Sequence, residues 1–234
     1  MVKSELIKRS PLRIFEKSIH GGLGKGNIGM FASRKGVGKT ACLVHIATDQ
    51  LFQGKHVIHV SFAARVDHII NWYEDIFKEI AKKRELEAAV DIHDEIIKNR
   101  VIMNFNQYGI KTEQILHSLD AMIRDGHFAA DTVIFDGYDI VEAGTKELRR
   151  IHDFAVNSGL EVWFSVTLDE KGPLFDEKGV PVQIAQYLES VSVLVTLRFV
   201  GDHVHLQVVK DHDELEPHDM HLVLDPKTLL VAEE

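Results

Sequence analysis

The chain has 234 residues, 45% hydrophobic and 27% charged, a balance that suits a folded α/β domain and excludes a disordered chain. Its formal net charge of −9 argues against sequence-independent nucleic-acid binding, which needs clustered Lys and Arg to displace counterions. The single cysteine, Cys42, excludes an intrachain disulfide, and no run approaches the ~18 apolar residues of a membrane span or forms a signal core near the start, so a cytoplasmic location is expected.

Residues 1–20 read as a polar lead-in, and His20–Gly26 (HGGLGKG) as a glycine-rich turn. Asn27–Ala32 predicts a short apolar strand, Ser33–Lys39 a tight loop, and Thr40–Leu51 a helix stopped by Gly54. His56–Phe62 is the second strand. Val66–Leu86 carries Ile69, Ile70, Tyr73, Ile76, Phe77 and Ile80 at helical spacing against a charged opposite side. A helix near Asp91–Asn99 leads to strand Val101–Phe105. Thr112–Asp125 is a helix closed by Gly126, Thr132–Asp136 (TVIFD) a strand, Glu142–Asn157 a helix closed by Gly159, and Glu161–Val166 a strand. Asp169–Gly179 repeats DEKG at 169–172 and 176–179 and reads as an acidic, mobile loop. Beyond it, Val191–Phe199, Val204–Lys210, His221–Leu224 and Leu229–Val231 read as strands joined by short turns. Alternating strands and helices predict an α/β domain, with a mainly parallel sheet flanked by helices and a C-terminal antiparallel extension. No linker divides the chain, so one domain over 1–234 is expected.

The densest chemical signal is Ser33-Arg34-Lys35-Gly36-Val37-Gly38-Lys39-Thr40, which fits GxxxxGK(S/T) except for Ser33 at the first position. Gly36 and Gly38 let backbone N–H groups converge on phosphate oxygens, and the helix that follows points its positive end at them. Lys39 would reach the β- and γ-phosphates, and Thr40 would ligate magnesium. Arg34 and Lys35 add positive charge, and Val37 and Cys42 complete the expected nucleotide-contacting set; Cys42 itself reads as a packed helix residue. Asp136, ending a buried strand, is costly without a partner, and a magnesium-bound water beside Thr40 would supply one. The loop therefore predicts ATP and Mg²⁺ as ligands.

Taken in order, HGGLGKGNIGMFASRKGVGKT, HVIHVSF, TVIFD, EVWFSVT and the late strand ending at Lys210 resemble the RecA superfamily, and most closely its KaiC-like members. The resemblance covers nearly the whole chain and implies a RecA-like P-loop NTPase fold, and a ring or head-to-tail homo-oligomer or a protein partner. It also implies a catalytic glutamate just after the second strand, where this chain has Ala63 and Ala64. General bases contribute ~10²–10⁴-fold, so hydrolysis is expected to be slow or absent. Asp139 and Asp67 are the nearest substitutes, with Asp139 also suited to capping a helix. The family's late K-x-R pair corresponds to Lys210-Asp211-His212, retaining the lysine that could sense a neighbour's triphosphate but not the forked arginine. Thr167 falls where relatives place a polar γ-phosphate sensor.

These features favour an ATP-binding switch or scaffold. The alternatives are an active RecA-class motor or remodeller that uses an unrecognised acid, and a ParA/MinD-like switch ATPase, suggested by RKGVGKT. The latter lacks support at Arg34, where that group has lysine, and at HVSFAA, which has no aspartate. Acidic Asp169, Glu170, Asp176 and Glu177 disfavour a DNA recombinase. The fourteen histidines read as a surface cluster rather than a metal site.

Overall fold

The computed structural model describes residues 2–65, 67–86, 89–106, 109–169 and 172–234. Val66, the expected start of the long helix, and Glu170 and Lys171 of the acidic loop lie outside them. In chain order the elements are α1 (Val2–Lys8), α2 (Leu12–Ser18), β1 (Ile28–Ser33), α3 (Lys39–Phe52), β2 (Val57–Ser61), α4 (Asp67–Lys83), α5 (Ala89–Lys98) and β3 (Arg100–Asn104). They continue with α6 (Thr112–Arg124), β4 (Thr132–Asp136), α7 (Ile140–Ala143), α8 (Thr145–Ser158), β5 (Glu161–Thr167), a short 3₁₀ helix (Ala185–Ser190), β6 (Val193–Val200), β7 (His203–Asp211), β8 (His218–Leu224) and β9 (Val231–Glu233).

The nine strands form one sheet in the order β3-β2-β4-β5-β1-β6-β7-β8-β9. Pairing is parallel from β3 to β6 and antiparallel from β6 to β9. Strands covered on both faces need apolar residues in both directions, and β1, β2 and β4 are buried throughout. One face packs Phe31, Val57, Ile134 and Trp163 against α1 to α5; the other packs Ile58, Val60, Val133 and Phe164 against α6 to α8. The parallel register aligns Ser61 with Asp136 and Ser33 with Thr167, so four strand ends share one edge of the sheet.

The segment read as a polar lead-in is instead two short helices. Its scattered apolar residues, Leu6, Leu12, Phe15 and Ile19, are all buried, and Phe15 stacks on Phe31 at 5.9 Å. The apolar residues are too few for a periodic pattern, and tertiary packing fixes the helices. Phe31 in turn stacks on Trp163 at 5.4 Å. Gly29 makes room for that indole, because a Cβ there would stand 2.4 Å from its ring.

The helix expected over Glu142–Asn157 is broken into α7 and α8 by Gly144, whose φ of 87° interrupts the helical backbone. β8 begins at His218, three residues earlier than expected, and β9 begins at Val231, two residues later. Among the described residues of the acidic loop, Phe175 bridges to Pro181, and the Arg198 guanidinium lies 3.9 Å from the Phe175 ring centre. Among the described residues, no helix is long and apolar enough to cross a membrane.

Candidate functional site

The site forms where β1 hands over to α3. Ser33 is buried at the strand end, while Arg34, Lys35 and Gly36 are exposed. Gly36 and Gly38 have φ of 79° and 118°, a region that side chains rarely adopt. A Cβ on Gly36 would have nothing within 4 Å, so this side of the loop is open. Gly38 is enclosed instead: a Cβ there would stand 2.3 Å from Leu224 Cδ2, at the end of β8. Val37 packs against the same core. The antiparallel extension therefore rests directly on the loop.

Lys39 folds back over this loop. Its ammonium donates to the Arg34 carbonyl at 2.8 Å, the Ser33 carbonyl at 3.1 Å and Ser33 Oγ at 3.3 Å. The side chain is buried, and burial pushes its pKa down to about 8 against the favourable pull of Asp136. A buried ammonium that is costly to keep charged is a site predisposed to an anion.

Thr40 Oγ1 donates to both carboxylate oxygens of Asp136, at 3.2 and 3.0 Å. The two residues come from the first turn of α3 and the last position of β4, so the pairing depends on the sheet placing these elements side by side. β5 lies between β4 and β1 and contributes Ser165, whose hydroxyl donates to Asp136 Oδ1 at 2.6 Å and accepts from the Gly137 N–H at 2.8 Å. Burial works against the Asp136 charge, but His59, Ser165 and Thr40 outweigh it and hold the carboxyl below its ordinary range.

His59 and Ser165 are site residues that the sequence did not single out. His59 is fully buried on β2, with Nδ1 3.0 Å from the Tyr73 hydroxyl and Nε2 3.8 Å from Asp136 Oδ2. A polar residue within each of the apolar strands HVIHVSF and EVWFSVT was the available signal, since a buried polar group needs a partner.

The other expected residues stand apart from this cluster. Cys42 is buried in the core, and burial pushes its thiol up to about 12, so it is a packing residue with little thiolate character. Ala63 and Ala64 follow β2 and offer no carboxylate. Asp67 pairs with Arg65 at 2.6 Å. Asp139 caps α7, accepting from the Glu142 N–H at 3.0 Å. Thr167 is exposed beside Ser33 in the sheet.

Lys210 donates to the Leu188 and Val191 carbonyls of its own chain, both at 2.6 Å, and so closes the 3₁₀ helix. His212 lies with Nδ1 2.6 Å from Asp211 Oδ1 and Nε2 3.3 Å from the Leu23 carbonyl. Asp211 also contacts His20, tying the glycine-rich turn to the end of β7. Of the late histidines, His205 alone joins a group with metal-ligand spacing among the described residues, with Asp219 and Glu234, and both carboxylates are exposed.

Comparison with protein-family models found no match, and comparison with curated proteins found none either.

Proposed function

We propose that this chain is a RecA/KaiC-like P-loop protein that binds ATP with magnesium and acts as a nucleotide-dependent switch or scaffold with slow or absent hydrolysis. The observation that carries this reading is the Thr40–Asp136 pair beside the buried Lys39 ammonium, at the start of a helix and next to an open glycine. Backbone amides at Gly36–Thr40, the helix N-terminus and Lys39 would together meet a polyphosphate.

The donor set also fits a hard cation, which takes oxygen ligands. Magnesium, held by Thr40 with Asp136 behind it, would neutralise phosphate charge. Phosphate oxygens would replace the loop carbonyls as acceptors for Lys39, and the ammonium would then be paired with charge rather than with dipoles.

Two observations favour a switch over a motor. First, the place after β2 holds Ala63 and Ala64, while Asp67 and Asp139 are already engaged by Arg65 and by the start of α7. Second, Leu224 sits on Gly38, so a change in loop shape on nucleotide arrival reaches the antiparallel extension through direct contact. A ligand that binds one loop shape better shifts the population of whatever surface the extension presents, whether to a second copy or to another protein.

The test is isothermal calorimetry with Mg-ATP, paired with a phosphate-release assay. Binding by the parent, its loss in Lys39→Ala and phosphate release at background are expected. Retained affinity in Lys39→Ala would sink the loop assignment. Steady turnover that disappears in Asp139→Ala or Asp67→Ala would replace the switch with a motor.

A further inference from the structure

Away from this loop, α1, α2, the C-terminal half of α3, the end of α4 and β9 line a half-open cavity of about 500 Å³. Its charge is unlike that of the molecule. The chain as a whole carries −9, yet Lys8, Arg9, Arg13, Lys17, Lys83 and Arg84 line this cavity, against the carboxylates of Asp49 and Glu233. Lys8, Lys17 and Lys83 are exposed and have no ion-pair partner among the described residues. Arg9 is paired with Glu5, and Arg13 with Glu16 and Asp49, so these three lysines carry uncompensated charge, which concentrates anions.

The interior differs from the rim. Ile14, Phe52, Ile80 and Leu230 give it apolar walls. Asp49 is 5% exposed; its Oδ2 is held by Arg13 and by Gln53 Nε2 at 2.7 Å, while its buried Oδ1 has no partner. A buried carboxylate oxygen left unpaired is costly, but Oδ1 is sealed from solvent and so from a molecule in the cavity. The Nε of Arg13 is likewise buried and unpaired. Among the described residues, none of the exposed large hydrophobic side chains lines the cavity, and apolar prongs of the kind a membrane-inserting surface carries are absent from that set.

We propose that this cavity binds a soluble amphipathic anion with two features: an acidic head group for the cationic rim and an apolar or aromatic body for the walls. A volume of about 500 Å³ suits a metabolite-sized molecule rather than a peptide. The site does not depend on the nucleotide reading. It meets the glycine-rich loop through α3, which carries Thr40 at one end and Asp49 about 14 Å further along its axis, and through Leu224, which rests on Gly38 and pairs with Val231 in the cavity wall.

The probe is 8-anilinonaphthalene-1-sulfonate, which has a sulfonate and two aromatic bodies, titrated against the folded chain by fluorescence. Saturable one-to-one binding is expected, weakened at least about tenfold in the Lys17→Glu/Lys83→Glu variant. Both side chains are exposed and unpaired, so the double variant should melt like the parent. Charge reversal at the distant Lys146 should leave binding unchanged. The uncharged N-phenyl-1-naphthylamine should bind far more weakly. Equal affinity for the two probes, unchanged affinity in the double variant, no saturable binding by the parent, or sedimentation with anionic vesicles would each overturn the assignment.

Discussion

Thr40 Oγ1 lies 3.0 Å from one carboxylate oxygen of Asp136 and 3.2 Å from the other, joining the first turn of α3 to the last residue of β4. A hydroxyl oxygen can ligate magnesium through a lone pair while its proton still donates to one carboxylate oxygen, so Asp136 would both hold Thr40 in place and stand as the negative charge behind the metal. Asp136→Asn tests this. The amide can still accept from Thr40 and Ser165, so the fold should survive, but the negative charge behind the metal is gone. We predict that the ratio of ATP affinities with magnesium and with EDTA, measured by calorimetry, falls by about tenfold or more, one lost charge-assisted contact being worth ~1.5–3 kcal/mol. A ratio equal to the parent's would place the cation elsewhere.

Lys39 gives a prediction with the opposite sign for stability. Without nucleotide its ammonium is buried against dipoles, and burial drives its pKa down to about 8. Deleting the charge leaves no orphaned carbonyl: Ser33 O still accepts from Leu168 N at 2.9 Å, and Arg34 O from Ser33 Oγ at 3.0 Å. Lys39→Met should therefore melt higher than the parent at pH 7 in the absence of nucleotide. The expected rise is a few degrees, since ~1 kcal/mol moves Tm by about 2–4 °C in a chain of this size. A lower melting temperature would mean that the ammonium stabilises the empty loop rather than burdening it.

Sequence pattern carried the strands and the loop because each rests on local rules: short apolar runs, helical periodicity, and glycines where the backbone turns. Asp136 was legible because an acid ending TVIFD breaks a buried run. The companions of Asp136 were not: His59 and Ser165 reach it only through the strand order β2-β4-β5, which is a long-range property. α1 and α2 escaped for a similar reason. Leu6, Leu12, Phe15 and Ile19 are too sparse to show a period, and become a core only once Phe31 and Trp163 lie beneath them. Lys210 shows the converse, a motif position with a local duty, because its ammonium is held by two carbonyls of its own chain.

Leu224 and Gly38 link the antiparallel extension to the loop in a way that substitution can expose. In Gly38→Ala the new methyl would stand 2.3 Å from Leu224 Cδ2, on a backbone whose φ of 118° already disfavours a side chain. Overpacking of this kind costs ~1–3 kcal/mol, to which the strained backbone adds. Gly38→Ala should lower the melting temperature, and Leu224→Ala introduced with it should return part of the loss, even though Leu224→Ala alone is destabilising. Double-mutant coupling measured by denaturant unfolding checks this. Strict additivity of the two changes would show that the loop and the extension do not press on each other.

His45 sets an acid limit on the fold. It is buried within α3, where Nε2 lies 3.1 Å from the Leu229 carbonyl and 3.2 Å from the Val231 N–H. Burial drives its pKa from 6.5 down to about 4; the Leu229 carbonyl opposes the shift and Lys83 adds to it. As pH falls from 6.5 to 4, the unfolded chain takes up a proton that the folded chain refuses. Stability is therefore fully present above pH 6.5 and declines by up to about 1.4 kcal/mol per pH unit towards pH 4, where the slope levels off. Glu16 and Glu161, both raised by burial, titrate in the opposite sense, so the comparison is between parent and His45→Gln, in which their contributions cancel. Glutamine can donate to Leu229 and accept from Val231 without a titrating ring. Unfolding free energies at pH 7, 6, 5 and 4 should fall less steeply in His45→Gln than in the parent, with a difference of ~3 kcal/mol accumulated by pH 4. Parallel curves would show that His45 accepts its proton in the folded state as readily as in the unfolded chain.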